Sequence, residues 1–326
     1  MTTPPKKASK RWQLLRKLIV EGSVNAKDGL GKASVRRLSD DGAWFQKTPL
    51  ARPSIDETAG KMIRSWDVFG VPITFRESSG TVNFSDIASS TSSDVDNTGN
   101  VCVWDAEELL AHYLNIVEPT LTRGKRVIEL GAGMIGLAGL STIVSAERAP
   151  ASLLLTDGNA GCVANLQWIL GENTQIFRDK TVMRTELLPP QLLIWSEEAI
   201  NLPAADVVLL ADGLFFERYH CGLLHSVAAI FEAAAQAECD GEGDFIAIQP
   251  QRGGSLHRFL ALAATDQRFQ LRVGSYQAPP TLLSCLPDAC PLKEQLIARR
   301  THPDYDADVH ELLLCHLRYL RPTHSS

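Results

Sequence analysis

The residues best suited to chemistry gather at the ends of three apolar runs. The first run is Val127-Ile-Glu-Leu-Gly-Ala-Gly-Met-Ile-Gly136, a strand pattern that enters a glycine-rich turn and leaves it as a helical pattern. Gly131 permits the tight turn, Gly133 lets the backbone approach a ligand, and Gly136 lets the helix pack on the strand. Such a turn presents main-chain N–H groups. Alone it suits a dinucleotide, S-adenosylmethionine, or no ligand at all. Glu129 and the position of the turn favour S-adenosylmethionine. A carboxylate two residues before the first glycine repels a pyrophosphate, whereas S-adenosylmethionine has no phosphate and carries an ammonium and a sulfonium. The turn also lies well inside the chain, after Val103-Trp104-Asp105, while many dinucleotide fingerprints open their domain.

The second run ends at Asp157, 21 residues after Gly136. A carboxylate at that strand end can accept both hydroxyls of a ribose, which either adenosine ligand carries. The third run, Asp206 to Phe216, leads into Asp212 at the edge where α/β ligand sites lie. Asp212 can accept a hydrogen bond from an incoming amine, and Phe215 can hold its cation by a cation–π contact. The plainer alternative is a helix-capping Asp beside a core Phe. Pro250-Gln-Arg-Gly-Gly254 follows the next strand and is placed to shape a substrate channel. Trp104 and Trp195 are candidate walls of the donor pocket, with ordinary core packing as the other option.

These groups need a scaffold, and the chain supplies one. Strand patterns at 126–130, 152–156, 181–186, 206–211, 245–249, 269–273 and 312–319 alternate with helical patterns at 137–145, 160–170, 218–237 and 256–265. Runs such as Val207-Val-Leu-Leu210 are apolar throughout, as in parallel strands covered on both faces. The alternation predicts a doubly wound, Rossmann-like α/β sheet with helices on both faces. Upstream, 106–115 reads as a helix with Asp105 as its N-cap. Residues 63–69 and 71–77 read as a hairpin around Gly70, 22–31 as a loop, and 11–20 as a helix with a basic face. The expected organisation is a disordered tail over 1–10, a helix and hairpin extension over 11–95, and the main domain over 96–326.

With 326 residues, 44% of them hydrophobic, the chain can bury one large core. No apolar run reaches bilayer length, and the basic N-terminus lacks the apolar core of a secretory signal. Seven widely spaced cysteines without a CxxC pair argue against a disulfide framework or a zinc site, and for a reducing compartment. No metal is expected. The net charge of −6 is uneven: residues 1–37 hold ten Lys/Arg and two acids, +8, which leaves −14 on the remainder. A basic arm on an acidic body suits an acidic partner or nucleic acid, with a solvated tail as the plainer alternative.

Several longer pieces go further. Arg11-Trp-Gln-Leu-Leu-Arg16, Ser34-Val-Arg-Arg37, Asp96-Asn-Thr-Gly-Asn-Val-Cys-Val-Trp104, Glu129-Leu-Gly-Ala-Gly-Met134, Leu154-Leu-Thr-Asp-Gly-Asn159, Ala211-Asp212 and Arg252-Gly253 run along most of the chain. With them the chain resembles the seven-β-strand protein-lysine methyltransferases, the calmodulin-lysine methyltransferases in particular. The resemblance implies a class I methyltransferase fold with six parallel strands and one antiparallel strand at the edge. It implies S-adenosyl-L-methionine as cofactor and calmodulin as the acidic substrate, trimethylated on a lysine. It assigns Trp104, Glu129, Gly131, Gly133, Asp157, Asn159, Trp195 and Ala211 to the cofactor, and Asp212 and Phe215 to catalysis, as a variant of an Asp-x-x-Tyr motif. It also implies a monomer in the cytoplasm, with the nucleus as a second compartment, and neither nucleic acid nor membrane as partner. Another lysine-bearing protein, such as a translation factor or chaperone, is the alternative substrate, and an NAD-dependent oxidoreductase the alternative chemistry. Gly213 departs from the Cys expected after Asp212, and Pro250-Gln-Arg from a more apolar run.

Overall fold

The computed structural model describes residues 23–24, 44–49, 61–78, 82–83, 103–180, 185–198, 202–236, 242–303 and 305–320. The basic helix read over 11–20 and the tail over 1–10 lie outside them. In the N-terminal part, β1 (Ser23–Val24) falls where a loop was expected. The strands β2 (Lys47–Pro49), β3 (Lys61–Val68) and β4 (Val71–Ser78) form an antiparallel sheet, and β5 (Val82–Asn83) pairs back with β1. The β3–β4 hairpin confirms the sequence expectation.

The main sheet follows. Its elements are α1 (Asp105–His112), β6 (Arg126–Leu130), α2 (Leu137–Thr142), β7 (Ser152–Asp157), α3 (Ala160–Glu172), α4 (Thr174–Lys180), β8 (Glu186–Leu187), β9 (Gln191–Leu192), β10 (Val207–Ala211), α5 (His220–Gln236), β11 (Gly243–Pro250), α6 (Ser255–Thr265), β12 (Phe269–Leu271), α7 (Leu282–Cys285), α8 (Pro291–Arg300), α9 (Ala307–His310) and β13 (Leu312–Tyr319). Across the sheet the order is β12-β13-β11-β10-β6-β7-β8, with β9 also pairing β7. Every pairing from β11 to β8 and β9 is parallel.

Two details correct the sequence expectation. The antiparallel strand does not hold the edge: β13 lies between β11 and β12, antiparallel to both. Its register explains why, since β13 pairs with β11 from Gly243↔Tyr319 to Pro250↔Leu312, whereas β12 meets it only from Phe269 to Leu271. The long strand, with Cys315 and Leu317 fully buried, takes the inner place. At the other side the third parallel strand is broken in two. Pro189 and Pro190 have no N–H to give to β7, so pairing stops after Leu188 N–H donates to Leu153 O and resumes where Leu193 N–H donates to Asp157 O. Of the strand expected over 181–186, residues 181–184 lie outside the described part.

Side chains alternate across the sheet and divide the core in two. Val207 and Leu209 join one cluster with α1, α2 and α3, while Val208 and Leu210 join the other with α5 and α6. That is why the run reads as continuously apolar. The hairpin adds Trp66, Ile73 and Phe75 to the first cluster. Asp105 is not the N-cap of α1. Trp104 holds that position with an extended backbone, and the Asp105 carboxylate instead pairs with Arg299 of α8, which anchors it one residue inside the helix.

Two asparagines dock the hairpin on the domain. Asn173 accepts from Thr74 N–H and donates to Thr74 O, both at 2.8 Å. Asn165 accepts from Arg76 Nε at 2.6 Å and donates to Arg76 O at 2.7 Å. These bonds satisfy the outer edge of β4, which would otherwise be open. We expect Asn173→Ala to strip both partners from the buried Thr74 main chain and lower unfolding stability by roughly 2 kcal/mol or more, read from denaturant midpoints at constant slope.

Candidate active site

Strand β6 has β7 on one side and β10 on the other, and the chain leaves it toward β7. The loops beyond the carboxyl ends of these strands therefore diverge and open a crevice. A cleft lies there, at the strand ends where α/β folds bind small molecules. Its walls carry Trp104, Gly131, Gly133, Asp157, Trp195, Ala211, Asp212 and Phe215, all singled out from the sequence. Glu129 and Asn159 do not line it.

On the β6–β7 wall the turn and the acid hold each other. Gly133 N–H donates to Asp157 Oδ2 and Asn159 N–H to Asp157 Oδ1, both at 2.8 Å. Burial pushes the Asp157 carboxyl up, and these two N–H groups pull it down. Each oxygen keeps a lone pair for another donor, so the carboxylate can take a diol from the cleft. The Asn159 side chain faces away and caps α3, accepting from Gly161 N–H at 2.7 Å and Cys162 N–H at 3.2 Å.

Glu129 lies beneath the turn. Its Oε2 accepts Gly139 N–H at 2.7 Å, and the residue is 1% exposed. Glu107, which no sequence motif singled out, accepts Leu137 N–H at 2.8 Å and lines the cleft. Helix α2 starts on Gly136, which has no side chain to cap it. The two glutamates, from α1 and β6, fill that need. Burial pushes the Glu129 carboxyl up to about 8 against the pull of Gly139 N–H, and nearby Asp157 adds to the rise.

Trp195 lies between two turns that must stay small. A Cβ on Gly131 would stand 3.2 Å from its Cζ2, and one on Gly213 would stand 3.1 Å from its Cη2 and 2.5 Å from Leu210 Cδ1. A side chain at 213 therefore has no room unless Leu210 or Trp195 moves, which accounts for glycine after Asp212.

The β10 side is aromatic. Phe215 and Phe216 stand 3.9 Å apart between ring centroids, and Phe216 meets Tyr219 edge-on at 6.1 Å. Phe216, Tyr219, Leu193 and Ile194 line the cleft and were missed; Phe216 and Tyr219 were legible only as neighbours of the Asp-x-x-Phe motif. Asp212 itself has φ +48°, a costly conformation for a non-glycine residue. Its carboxylate is already engaged: Arg252 Nε donates to Oδ1 at 2.8 Å, and a second guanidinium nitrogen meets Oδ2. The cleft thus joins a diol-binding carboxylate and an open glycine turn on one wall to a carboxylate among aromatic rings on the other. That arrangement can bind a nucleoside-like ligand and bring a cation or amine beside it.

Residues 87–239 match the model of a lysine methyltransferase family. A calmodulin-lysine N-methyltransferase of Arabidopsis thaliana is 26% identical over 260 residues, which cover 77% of this chain and 79% of that protein. Among solved structures, the ribosomal protein L11 methylase of Lactobacillus delbrueckii subsp. bulgaricus is 11% identical, with a TM-score of 0.37 over 67% of this chain and 80% of its own. An O-methyltransferase of Bacillus cereus, solved in complex with SAH, is 12% identical, with a TM-score of 0.35 over 65% and 79%. These overlays are loose, and the fold assignment stands on the strand order.

The buried glutamate gives a pH signature. Its carboxyl is raised in the folded protein, so the folded state holds a proton that the unfolded chain releases near the ordinary value of 4.5. The stability it contributes is full below that pH and is lost as pH rises toward about 8. Glu129→Gln is expected to flatten this fall, measured as the melting temperature between pH 4.5 and 8. An unchanged slope in the variant would assign the dependence elsewhere.

Proposed function

We propose that this chain, whose residues 87–239 match the model of a lysine methyltransferase family, transfers a methyl group from S-adenosylmethionine to a lysine amine of an acidic protein, calmodulin first among them. The observation that carries this reading is the meeting, in one cleft, of Asp157 and the glycine turn with Asp212 and the aromatic wall. The fit to the donor rests on chemistry present in the chain. Asp157 has free lone pairs for the ribose hydroxyls, no atom stands within 4 Å of a Cβ built on Gly133, and the acids Glu107 and Asp157 suit a ligand that bears positive charge.

When bound, the donor supplies a methyl already activated on a sulfonium. The chain's own work is placement. Asp157 holds the diol, Trp104 and Trp195 enclose the donor side and exclude water, and Asp212 with Phe215 and Phe216 receives the amine. A free lysine amine has a pKa of about 10.4, and an apolar slot lowers it by disfavouring the charged form. The neutral nitrogen, held by Asp212 and the rings, would be the nucleophile for that methyl, and the proton it sheds would pass to solvent. No protein base is needed between rounds.

Two features support calmodulin as the substrate: the name of the 26% identical relative and the +8 arm at residues 1–37, which suits an acidic protein. We place the enzyme in the cytoplasm, with the nucleus as a second site, acting as a monomer.

Intact-mass measurement after incubation with S-adenosylmethionine and unmethylated calmodulin tests this reading. The expected result is a ladder of single-methyl steps that ends at three. No shift, with S-adenosylhomocysteine still bound, would move the substrate to another protein, such as a translation factor or chaperone. Asp157→Ala is expected to weaken S-adenosylhomocysteine binding by about tenfold or more, read by calorimetry. Asp212→Asn is expected to slow transfer by about tenfold or more while donor affinity holds; full activity would remove Asp212 from the reaction.

A further inference from the structure

Arg252 is placed with more care than an incidental ion pair requires. It has φ +50°, a left-handed conformation that it shares with Asp212, its partner on the neighbouring strand end. Its N–H donates to Asp308 O at 2.8 Å, and Gly253 N–H donates to the Asp308 carboxylate at 2.7 and 2.8 Å. The turn is thereby tied to the segment before β13. The guanidinium meets both oxygens of Asp212, with side chains only 10% and 5% exposed. It also stands 5.6 Å from the Trp104 ring centroid and 5.9 Å from that of Phe215. The carboxylate and rings that would receive a cationic lysine already hold a cation.

We infer that Arg252 is a positioning residue for methyl transfer, one that fixes the Asp212 carboxylate and cancels its charge so that the acceptor lysine enters as the neutral amine. The inference rests on the methyltransferase reading above. A lone carboxylate beside the acceptor would stabilise the ammonium form and raise the pKa of the very group that must be neutral to react. A carboxylate already spanned by a guanidinium offers the amine an acceptor without that bias. The other charged groups around the turn are engaged. Arg258 spans the Glu217 carboxylate and donates to Gly253 O. Asp308 is held by Gly253, and His257 Nε2 meets Gln277 O. On the neighbouring elements, His220 Nε2 meets Leu214 O, Glu107 accepts Leu137 N–H, and Asp157 accepts from Gly133 and Asn159 across the cleft. Among the described residues, Arg252 is the cation that meets Asp212. Lysine at this position would restore charge but not the two-pronged grip.

The test measures the initial rate of tritium transfer from labelled S-adenosylmethionine into a hypomethylated protein extract, against pH, for the wild type, Arg252→Gln and Arg252→Lys. Calorimetry with S-adenosylhomocysteine confirms that each variant keeps its donor site. Arg252→Gln is expected to move the acidic limb of the rate profile up by about one pH unit. Arg252→Lys is expected to keep the limb in place and lose about tenfold in rate. Label from the wild type with the same limb in Arg252→Gln would overturn the role of Arg252 alone. No label from the wild type at any pH would overturn the methyltransferase reading, and this inference with it. If Arg252→Gln loses donor binding, Arg252→Lys decides: a full rate overturns the inference, and a reduced rate at an unmoved limb supports it.

Discussion

Helix α2 begins on a glycine and cannot satisfy its own first N–H groups, so it borrows two acidic side chains as acceptors. Glu129 reaches it from the strand below, and Glu107 from the helix beside it. The loan fixes three elements at once. Strand β6 is tied to α2 at the glycine turn, α1 is tied to the same helix, and Trp104 at the head of α1 is carried to the cleft. A buried acid without a partner would be expensive, but here each one answers a donor that would itself be expensive to leave bare. Much of the cleft's shape depends on that exchange.

The second fixed point is Trp195. It closes the cleft from the far side of the broken third strand and reaches between the turns after β6 and β10. Those turns belong to the donor wall and the acceptor wall. Glycines at 131 and 213 allow the indole to approach both, so one ring sets the spacing between the two halves of the site. The edge strand resumes after its proline pair and ends where Leu193 N–H donates to Asp157 O, and Trp195 follows two residues on.

The parts legible in the sequence were those whose requirement is local. A strand that ends in glycines, an acid at the next strand end, and apolar runs of strand length announce themselves within a few residues, and the structure places each as expected. The parts that were not legible depend on partners far away in sequence. Glu129 was read toward a ligand because Gly139, its partner, gives no side-chain signal. Asp212 was read as open to substrate because Arg252 lies 40 residues on. The place of β13 within the sheet could not be read from its own composition, since an inner and an edge strand differ in neighbours more than in residues. The short helices α7 to α9 carry too little periodicity to stand out.

That place of β13 has a consequence for the order of events as the chain is made. Strand β12 precedes β13 in the chain yet touches the sheet only through it. Until β13 has been synthesised, β11 waits with one side bare, and β12 has nothing to join. The core layer that holds Phe245, Phe259 and Phe269 stays incompletely covered for the same interval. The segment that ties down the Arg252 turn also arrives late, because Asp308 immediately precedes β13. The nascent chain can therefore assemble its donor wall well before its acceptor side is complete, and a pause or premature release in that interval would leave a partly closed sheet for chaperones to shield.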